Sequence, residues 1–216
     1  MIWAWERPED LGTLGADIGV AFLAQTITVS GVEIAVEPRR QPLRVGHSTP
    51  LLAVTRIESA ALATWPLTSK DASDVALLIA RTAKTPRVVG IQIDFDATPA
   101  QRHFYRELVT DLRRQLAPSV AVSATALASW CAGDRWLQGL QVDEVVPALF
   151  RMGPTNQWFR DVGVANTWSE AACRHAAGIS LDEPIRLRVQ GRRIYAFNPR
   201  PWTAASVLQV RTLVTP

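Results

Sequence analysis

The sequence is poor in the residues on which metal and cofactor chemistry depends. Its 216 residues include three histidines, His47, His103 and His175, and no two of them have the spacing of a zinc-binding pair. The G-x-S-x-G, Walker A and G-x-G-x-x-G motifs are absent, which disfavours a nucleophile-elbow hydrolase, a P-loop enzyme and a dinucleotide-binding fold. We therefore expect no metal and no cofactor.

Long apolar runs and clustered charges are missing too. No run approaches the ~20 apolar residues that span a bilayer, so we expect no transmembrane segment. The net charge is +3 and the arginines are scattered, so we expect no nucleic-acid partner. The opening residues Met1–Trp5 carry no signal-peptide pattern, so we expect either a cytoplasmic protein or one whose leader was removed before this numbering begins.

Cysteine is scarce, since Cys131 and Cys173 are the only two in the chain. The two residues could form a disulfide in an oxidising compartment or remain as thiols. Because two cysteines in an intracellular protein are more often unpaired, the residues alone favour free thiols.

What the chain does contain is ordinary for one globular domain. It is 48% hydrophobic and 20% charged, a typical balance for such a protein. A chain of this length can bury a core large enough to stand alone, and no repeat or low-complexity segment interrupts it. We expect a single domain over residues 1–216.

The stretch Val88–Asp96 is an apolar, β-branched run that ends in two carboxylates. Side chains alternate along a strand, so Gln92, Asp94 and Asp96 should share the face opposite the apolar residues. A capping-box pattern follows at once and predicts a helix. The carboxylates are therefore expected at the carboxyl end of a strand that feeds a helix, where α/β folds place their ligands.

Eight strand-like stretches occur along the chain. They are residues 2–6, 18–24, 51–57, 88–96, 120–128, 142–152, 178–181 and 193–197. Helical spacing is found at about residues 69–84, 99–116 and 204–210. This alternation favours an α/β fold, a small and irregular (β/α)8 TIM-type barrel in which loops replace some helices. An open doubly wound sheet is the alternative.

A β-hairpin is predicted directly after strand two. Thr26–Val29 and Val32–Val36 are strand-like and flank Ser30-Gly31, a typical two-residue turn. We expect this hairpin to be an insertion into the barrel.

The two carboxylates could act as an acid and its partner. Residues two apart on a strand have Cα atoms about 6.5–7 Å apart, so Asp94 and Asp96 would repel when both are ionised. Such a pair tends to split its pKa values, which leaves one carboxyl protonated, as acid-assisted glycoside cleavage requires. The alternative is a structural ion pair with an inward arginine such as Arg56 or Arg151, or a bound cation.

Other candidate binding residues are expected near the same end of the barrel. Four polar ones, Glu6, Arg56, Arg151 and Asp182, lie at strand ends and would suit a polar or acidic ligand, although each could equally form a rim salt bridge. The chain also has eight tryptophans, whose flat faces can stack on sugar rings. Trp5, Trp130 and Trp202 follow or lie in strand segments. Trp130 and Trp202 are the candidates for such a platform, and core packing is the alternative.

The segment Gly90–Asp96 resembles the strand-four motif of chitinase-type (family eighteen) glycoside hydrolases. By register, Asp94 falls on the aspartate that assists the acid and Asp96 on the acid itself, whereas Gln92 replaces an acidic residue. The strand-six segment Ala148–Arg151 lacks the Tyr and Asp that hold the substrate's acetamido group in that family.

A second resemblance runs over nearly the whole length of the chain. The segments Trp3–Pro8, Gln92–Ala97, Ala126–Cys131 and Asp182–Pro184 resemble an uncharacterised bacterial family, a domain of unknown function whose members are often exported. Membership would imply a periplasmic or exported protein. It would also make a disulfide between the two cysteines and a pair of free thiols equally expected.

Two functions follow as hypotheses. The first is a glycoside-hydrolase-like barrel that acts on a polysaccharide, with Asp96 as general acid, Asp94 as its partner and Gln92 bonded to the sugar. The second is a carbohydrate-binding or cell-envelope assembly protein on the same scaffold, without turnover.

Overall fold

The chain is built around one sheet of eight parallel strands. A computed structural model describes residues 1–15, 17–60, 66–133, 136–152, 157–185, 187–188 and 191–215. The strands are β1 (Ile2–Ala4), β2 (Val20–Val29), β3 (Leu51–Ser59), β4 (Val88–Asp94), β5 (Ala121–Ala126), β6 (Glu144–Pro147), β7 (Ala176–Ser180) and β8 (Arg193–Phe197). Each corresponds to one of the eight predicted stretches, although β6 is much shorter than expected.

The strands follow one another around the sheet in the order of the sequence. The order is β7-β8-β1-β2-β3-β4-β5-β6, and all of these pairings are parallel. The two end strands meet where Ala148 and Gly178 form a parallel bridge. The sheet is therefore a nearly closed, barrel-shaped one, consistent with a TIM-like barrel.

Helices follow several of the strands. They are α1 (Ser69–Thr82), α2 (Arg102–Gln115), α3 (Ala128–Cys131), α4 (Gln157–Ala165) and α5 (Ala204–Leu213), with short 3-10 turns at Pro99–Gln101 and Ala171–Arg174. In the described residues, the connections after β1, β2 and β7 hold loops and the short strands Glu9–Leu11, Ile34–Pro38, Leu43–Val45 and Leu187–Arg188. A last short strand, Val214–Thr215, ends the chain's described part. None of the described helices is long and apolar enough to cross a membrane.

Local capping signals begin the two long helices. The Thr98 backbone N–H donates to the Gln101 side chain at 2.9 Å, which is half of the predicted capping box. Before α1, the Asp71 N–H donates to the Thr68 hydroxyl at 3.2 Å, and the Asp71 carboxylate accepts from the Thr68 N–H at 2.8 Å. These bonds satisfy N–H groups that have no partner inside a helix.

Strand β4 separates two apolar clusters, as its alternation predicts. On the outer side, Phe95 packs edge to face on Phe104 and Tyr105 of α2, with ring centroids 6.1 and 5.4 Å apart. On the inner side, the barrel lumen holds a cluster that includes Trp3 and Tyr195. Each β4 side chain is therefore directed either to the helix layer or to the lumen.

The predicted hairpin after strand two is not confirmed as a separate insertion. Its first arm is the second half of β2 itself, and the strand Ile34–Pro38 pairs antiparallel with Gln25–Val29 of that strand. The residues Thr26–Val29 also pair with β3, so they belong to the barrel sheet. Their apolar, β-branched composition does not distinguish a barrel strand that extends further from a new strand that begins there.

The two cysteines form a disulfide, so the preference for free thiols drawn from composition is wrong. Cys131 at the end of α3 bonds to Cys173 in the second 3-10 turn, with Cα atoms 5.9 Å apart. The Cys131 carbonyl also accepts from the Glu170 N–H and the Ser169 hydroxyl, at 3.2 and 3.0 Å. The fold brings the two segments together across 42 residues, which a count of cysteines cannot show.

Candidate functional site

A pocket opens at the carboxyl ends of the barrel strands. Its volume is about 480 Å³, and we call it the mouth pocket. Its polar lining includes Asp94 at the end of β4, Asp96 two residues further on, Arg56 of β3 and Arg151 after β6. Residues far apart in sequence meet here because parallel strands end at the same rim.

Asp94 is held by two neighbours on the rim. Its side chain is nearly buried, and its Oδ2 atom accepts from the Arg56 guanidinium at 2.7 Å. Its Oδ1 atom accepts from the Thr125 hydroxyl of β5 at 2.7 Å. Both oxygens therefore have a partner, and the charge of Asp94 is opposed by that of Arg56.

Asp96 is the freer of the two carboxylates. Its side chain is 62% exposed, and its nearest ionic partner is the Arg56 Nη2 atom at 4.0 Å. Partial burial and the neighbouring Asp94 carboxylate raise the pKa of Asp96, while Arg56 acts in the opposite direction. The pair thus divides into one tied carboxylate and one carboxyl that holds its proton more strongly than an ordinary aspartate.

Arg151 is positioned by its backbone and by an aromatic ring. Its φ is 53°, in the left-handed region that non-glycine residues rarely adopt. Its N–H donates to both carboxylate oxygens of Glu183, at 3.1 and 3.2 Å. Its guanidinium carbon lies 5.0 Å from the centre of the Phe197 ring, a cation–π contact.

Aromatic rings form much of the remaining pocket wall. Phe150 and Phe197 stack with their planes 3° apart and their centroids 5.7 Å apart. Trp3 meets Phe150 and Trp5 meets Phe197 edge to face, each with centroids 6.3 Å apart. Of these four rings, Trp5 was noted among the strand-end tryptophans, and the other three were missed. The sequence signal that could have identified these rings is their position just inside or just after the end of a strand.

Gln92 does not line the mouth pocket, contrary to its predicted place on the sugar. Its side chain is fully buried in the lumen, where it accepts from the Trp3 indole N–H at 2.6 Å and donates to the Ser123 hydroxyl at 3.1 Å. Ser123 in turn donates to Glu144 at 3.2 Å. Gln92 lies two residues before Asp94 on the same face of β4. It is already buried beneath the pocket, where it supports the Trp3 ring.

Glu6 and Asp182 also lie away from the mouth pocket. Glu6 accepts from the backbone N–H groups of Arg40 and Gln41, at 2.9 and 3.1 Å, beside a separate cavity of about 250 Å³. Asp182 accepts a hydrogen bond from the Ser180 hydroxyl. Both carboxylates are used to hold local loops, which is the rim role considered for them as the alternative.

The two tryptophans proposed as sugar platforms are core residues. Trp130 is 3% exposed and stacks on Trp136 with centroids 3.8 Å apart. Trp202 is 5% exposed, and its indole N–H donates to the Trp3 carbonyl at 2.8 Å. Position in or after a strand segment did not reveal that Trp130 packs on Trp136 or that Trp202 packs against β1.

A match to a protein-family model shows which family the chain belongs to. The model described as Domain of unknown function (DUF3142) matches residues 47–183. The chain belongs to the DUF3142 family. The match covers β3 to β7, and hence both rim aspartates, Arg56 and Arg151 of the mouth pocket. A search of curated proteins found no match.

The described residues of this DUF3142 protein offer no evident metal centre. No group of three or more His, Cys, Asp or Glu residues in that part of the chain is arranged to hold an ion. The chemistry that the mouth pocket itself can provide is proton transfer at Asp96, hydrogen bonding through the rim arginines and stacking on its rings.

Proposed function

We propose that the mouth pocket binds a carbohydrate and hydrolyses a glycosidic bond, with Asp96 as the general acid and Asp94 as its partner. The observation that carries the proposal is that the two carboxyl groups have different surroundings. Asp94 is tied to Arg56 at 2.7 Å, whereas Asp96 keeps an exposed carboxyl on the pocket. Acid-assisted cleavage needs one carboxyl that gives a proton to the leaving oxygen.

The surroundings of Asp96 favour its protonated form. Burial and the Asp94 carboxylate raise the pKa of Asp96, which keeps a larger fraction of this carboxyl protonated than of an isolated aspartate. Asp94 is the member whose carboxylate is held in place, since Arg56 and Thr125 both donate to it. Its negative charge can oppose the positive charge that develops on the sugar ring in the transition state.

The walls of the pocket suit a sugar. Trp5 and Phe150 are half-buried and provide aromatic surface, and the CH-rich faces of sugar rings stack on such surfaces. The arginine and carboxylate groups of the lining can bond to hydroxyl groups and set the orientation of the ring. The resemblance of Gly90–Asp96 to the strand-four motif of chitinase-type hydrolases supports the same assignment.

The test is a glycan screen with matched variants. Wild type, Asp96→Asn and Asp10→Asn are incubated with a library of polysaccharides, and newly formed reducing ends are measured. Asp10 is the control because its side chain is also 62% exposed and is paired with an arginine, outside the pocket. We expect Asp96→Asn to reduce the rate by about 10²–10⁴-fold and Asp10→Asn to leave it unchanged. A hydrolysis rate that is equal in wild type and Asp96→Asn would exclude Asp96 as the acid.

A second candidate is a non-catalytic carbohydrate-binding or envelope-assembly protein. The observation in its favour is that both oxygens of Asp94 already accept hydrogen bonds, which leaves this carboxylate less available to activate water. The segment Ala148–Arg151 also lacks the side chains that hold an acetamido group in chitinases. Binding of a glycan by wild type without any product, over days and at several pH values, would favour this candidate.

We further infer that the protein is bacterial and works outside the cytoplasm. The Cys131–Cys173 disulfide supports the location, because disulfides persist in oxidising compartments and are rare in the cytosol. Alkylation of the protein directly in cells, followed by mass spectrometry, tests this inference. Recovery of both cysteines in alkylated form would contradict it.

A further inference from the structure

We propose that the carbohydrate of the mouth pocket carries a carboxylate, as a uronate residue does, and that the Arg151 guanidinium binds it. The inference rests on the proposed function in one respect, namely that the ligand is a carbohydrate. It adds the chemical class of that carbohydrate and the residue that selects it.

The charges of the pocket lead to Arg151. Three arginines line it, and two of them are already neutralised: Arg7 by Glu9 at 2.6 Å and Arg56 by Asp94 at 2.7 Å. Across the described part of the chain, no carboxylate lies within 4.0 Å of the Arg151 guanidinium. Among the residues that the structure describes, Arg151 is therefore the lining cation whose charge is left for a ligand.

The Arg151 guanidinium is also prepared for an anion. Its contact with the Phe197 ring, at 5.0 Å, restricts the side chain, and Phe197 is itself stacked on Phe150. A guanidinium that lies over a ring keeps its N–H groups at the edge, where they match the two oxygens of a carboxylate. Because Glu183 fixes the backbone at this residue, less freedom is lost when the ligand binds.

The spacing between the two strands is compatible with a chain of sugars. Strands β4 and β6 are separated by β5 alone, so Asp96 and Arg151 follow strands that are about 10 Å apart. That span is comparable with the length of a disaccharide. A carboxylate bound at Arg151 would thus belong to a sugar next to the bond that Asp96 protonates, and not to the leaving oxygen itself.

A single negative charge suits the site better than a double one. Arg151 offers one unpaired positive charge, and the Asp94 and Asp96 carboxyl groups lie on the same pocket. A phosphate dianion would be repelled more strongly by these groups than a carboxylate. We therefore assign a carboxylate rather than a phosphate as the bound group.

The experiment compares acidic oligosaccharides with their neutral esters. Oligosaccharides of galacturonate, glucuronate and mannuronate, each beside its methyl ester, are titrated by calorimetry into wild type, Arg151→Asn and Arg44→Asn. Asparagine removes the charge and tolerates the left-handed φ of residue 151, so the variant should keep its fold. Arg44 is the control, an exposed arginine that pairs with Asp10 at 3.2 Å outside the pocket.

We expect wild type and Arg44→Asn to bind at least one acid about ten-fold or more tighter than its ester, since hydrogen bonds to charged groups are strong. Arg151→Asn should bind the two alike, and 0.5 M salt should weaken the wild-type preference, because exposed charges are screened at about this ionic strength. Equal binding of acid and ester by wild type, or a preference that survives in Arg151→Asn, overturns the assignment. Tighter binding of a sulfated oligosaccharide than of any uronate overturns the choice of carboxylate.

These titrations, together with the glycan screen, separate this inference from the proposed hydrolysis. A charge preference without any product supports the Arg151 assignment and contradicts hydrolysis. Hydrolysis of neutral glycans without a charge preference supports the function and contradicts Arg151. If no glycan binds, acidic or neutral, both are overturned.

Discussion

Reduction of the Cys131–Cys173 disulfide should destabilise the protein and loosen one side of the mouth pocket. The bond closes a loop of 42 residues. Loop-closure entropy for this length is about 13 cal/mol/K, or about 4 kcal/mol at 25 °C in the free energy of unfolding. For a protein of this size, such a loss lowers Tm by about 8–16 °C. The closed loop contains β6 and the pocket residues Phe150 and Arg151, so the loss should reach the site.

Urea unfolding with and without reductant measures this effect. Both cysteines are fully buried, so the reductant needs long incubation in the transition region, where opening exposes the bond. The control is the double variant Cys131→Ala, Cys173→Ala, whose unfolding should not respond to reductant. Hydrogen exchange should show the largest loss of protection within residues 132–172. Equal urea midpoints for oxidised and reduced wild type would refute the reasoning.

Three further perturbations test how the pocket is built. Asp94→Asn removes a carboxylate that raises the pKa of Asp96, so the pKa of Asp96 should fall, and an NMR titration of the Asp96 carboxyl will show the direction. A pKa that stays in place or rises would contradict the pairing. Gln92→Leu leaves the buried Trp3 indole N–H without its acceptor and should destabilise the protein by about 1–3 kcal/mol, measured by thermal unfolding, whereas Gln92→Glu keeps the acceptor. Gly178→Ala places a methyl group 2.9 Å from the Trp3 ring, so it should cost about 1–3 kcal/mol and change Trp fluorescence. Wild-type stability in Gln92→Leu or in Gly178→Ala would show that Trp3 is not confined as described.

Much of the architecture could be predicted from local pattern alone. The eight barrel strands lie where apolar and β-branched runs predict them, and the capping residues before α2 begin that helix region as expected. Both aspartates at the carboxyl end of β4 reach the pocket, as predicted, because period-two alternation and the strand end are local properties. Some predictions that depended on more distant parts of the fold were wrong. Gln92 shares the face of Asp94 but lies two residues deeper in the barrel. Asp94 therefore lines the pocket, whereas Gln92 is buried beneath it.

The strands, their alternation and the carboxyl pair can be predicted from the sequence, because each depends on residues within a few positions of one another. The three-dimensional fold decided which aromatic rings face the pocket and which are covered. It also decided that Cys131 meets Cys173 and that Trp3 meets Phe150 across most of the chain. Such contacts depend on how the barrel closes, and no spacing along the chain records that closure.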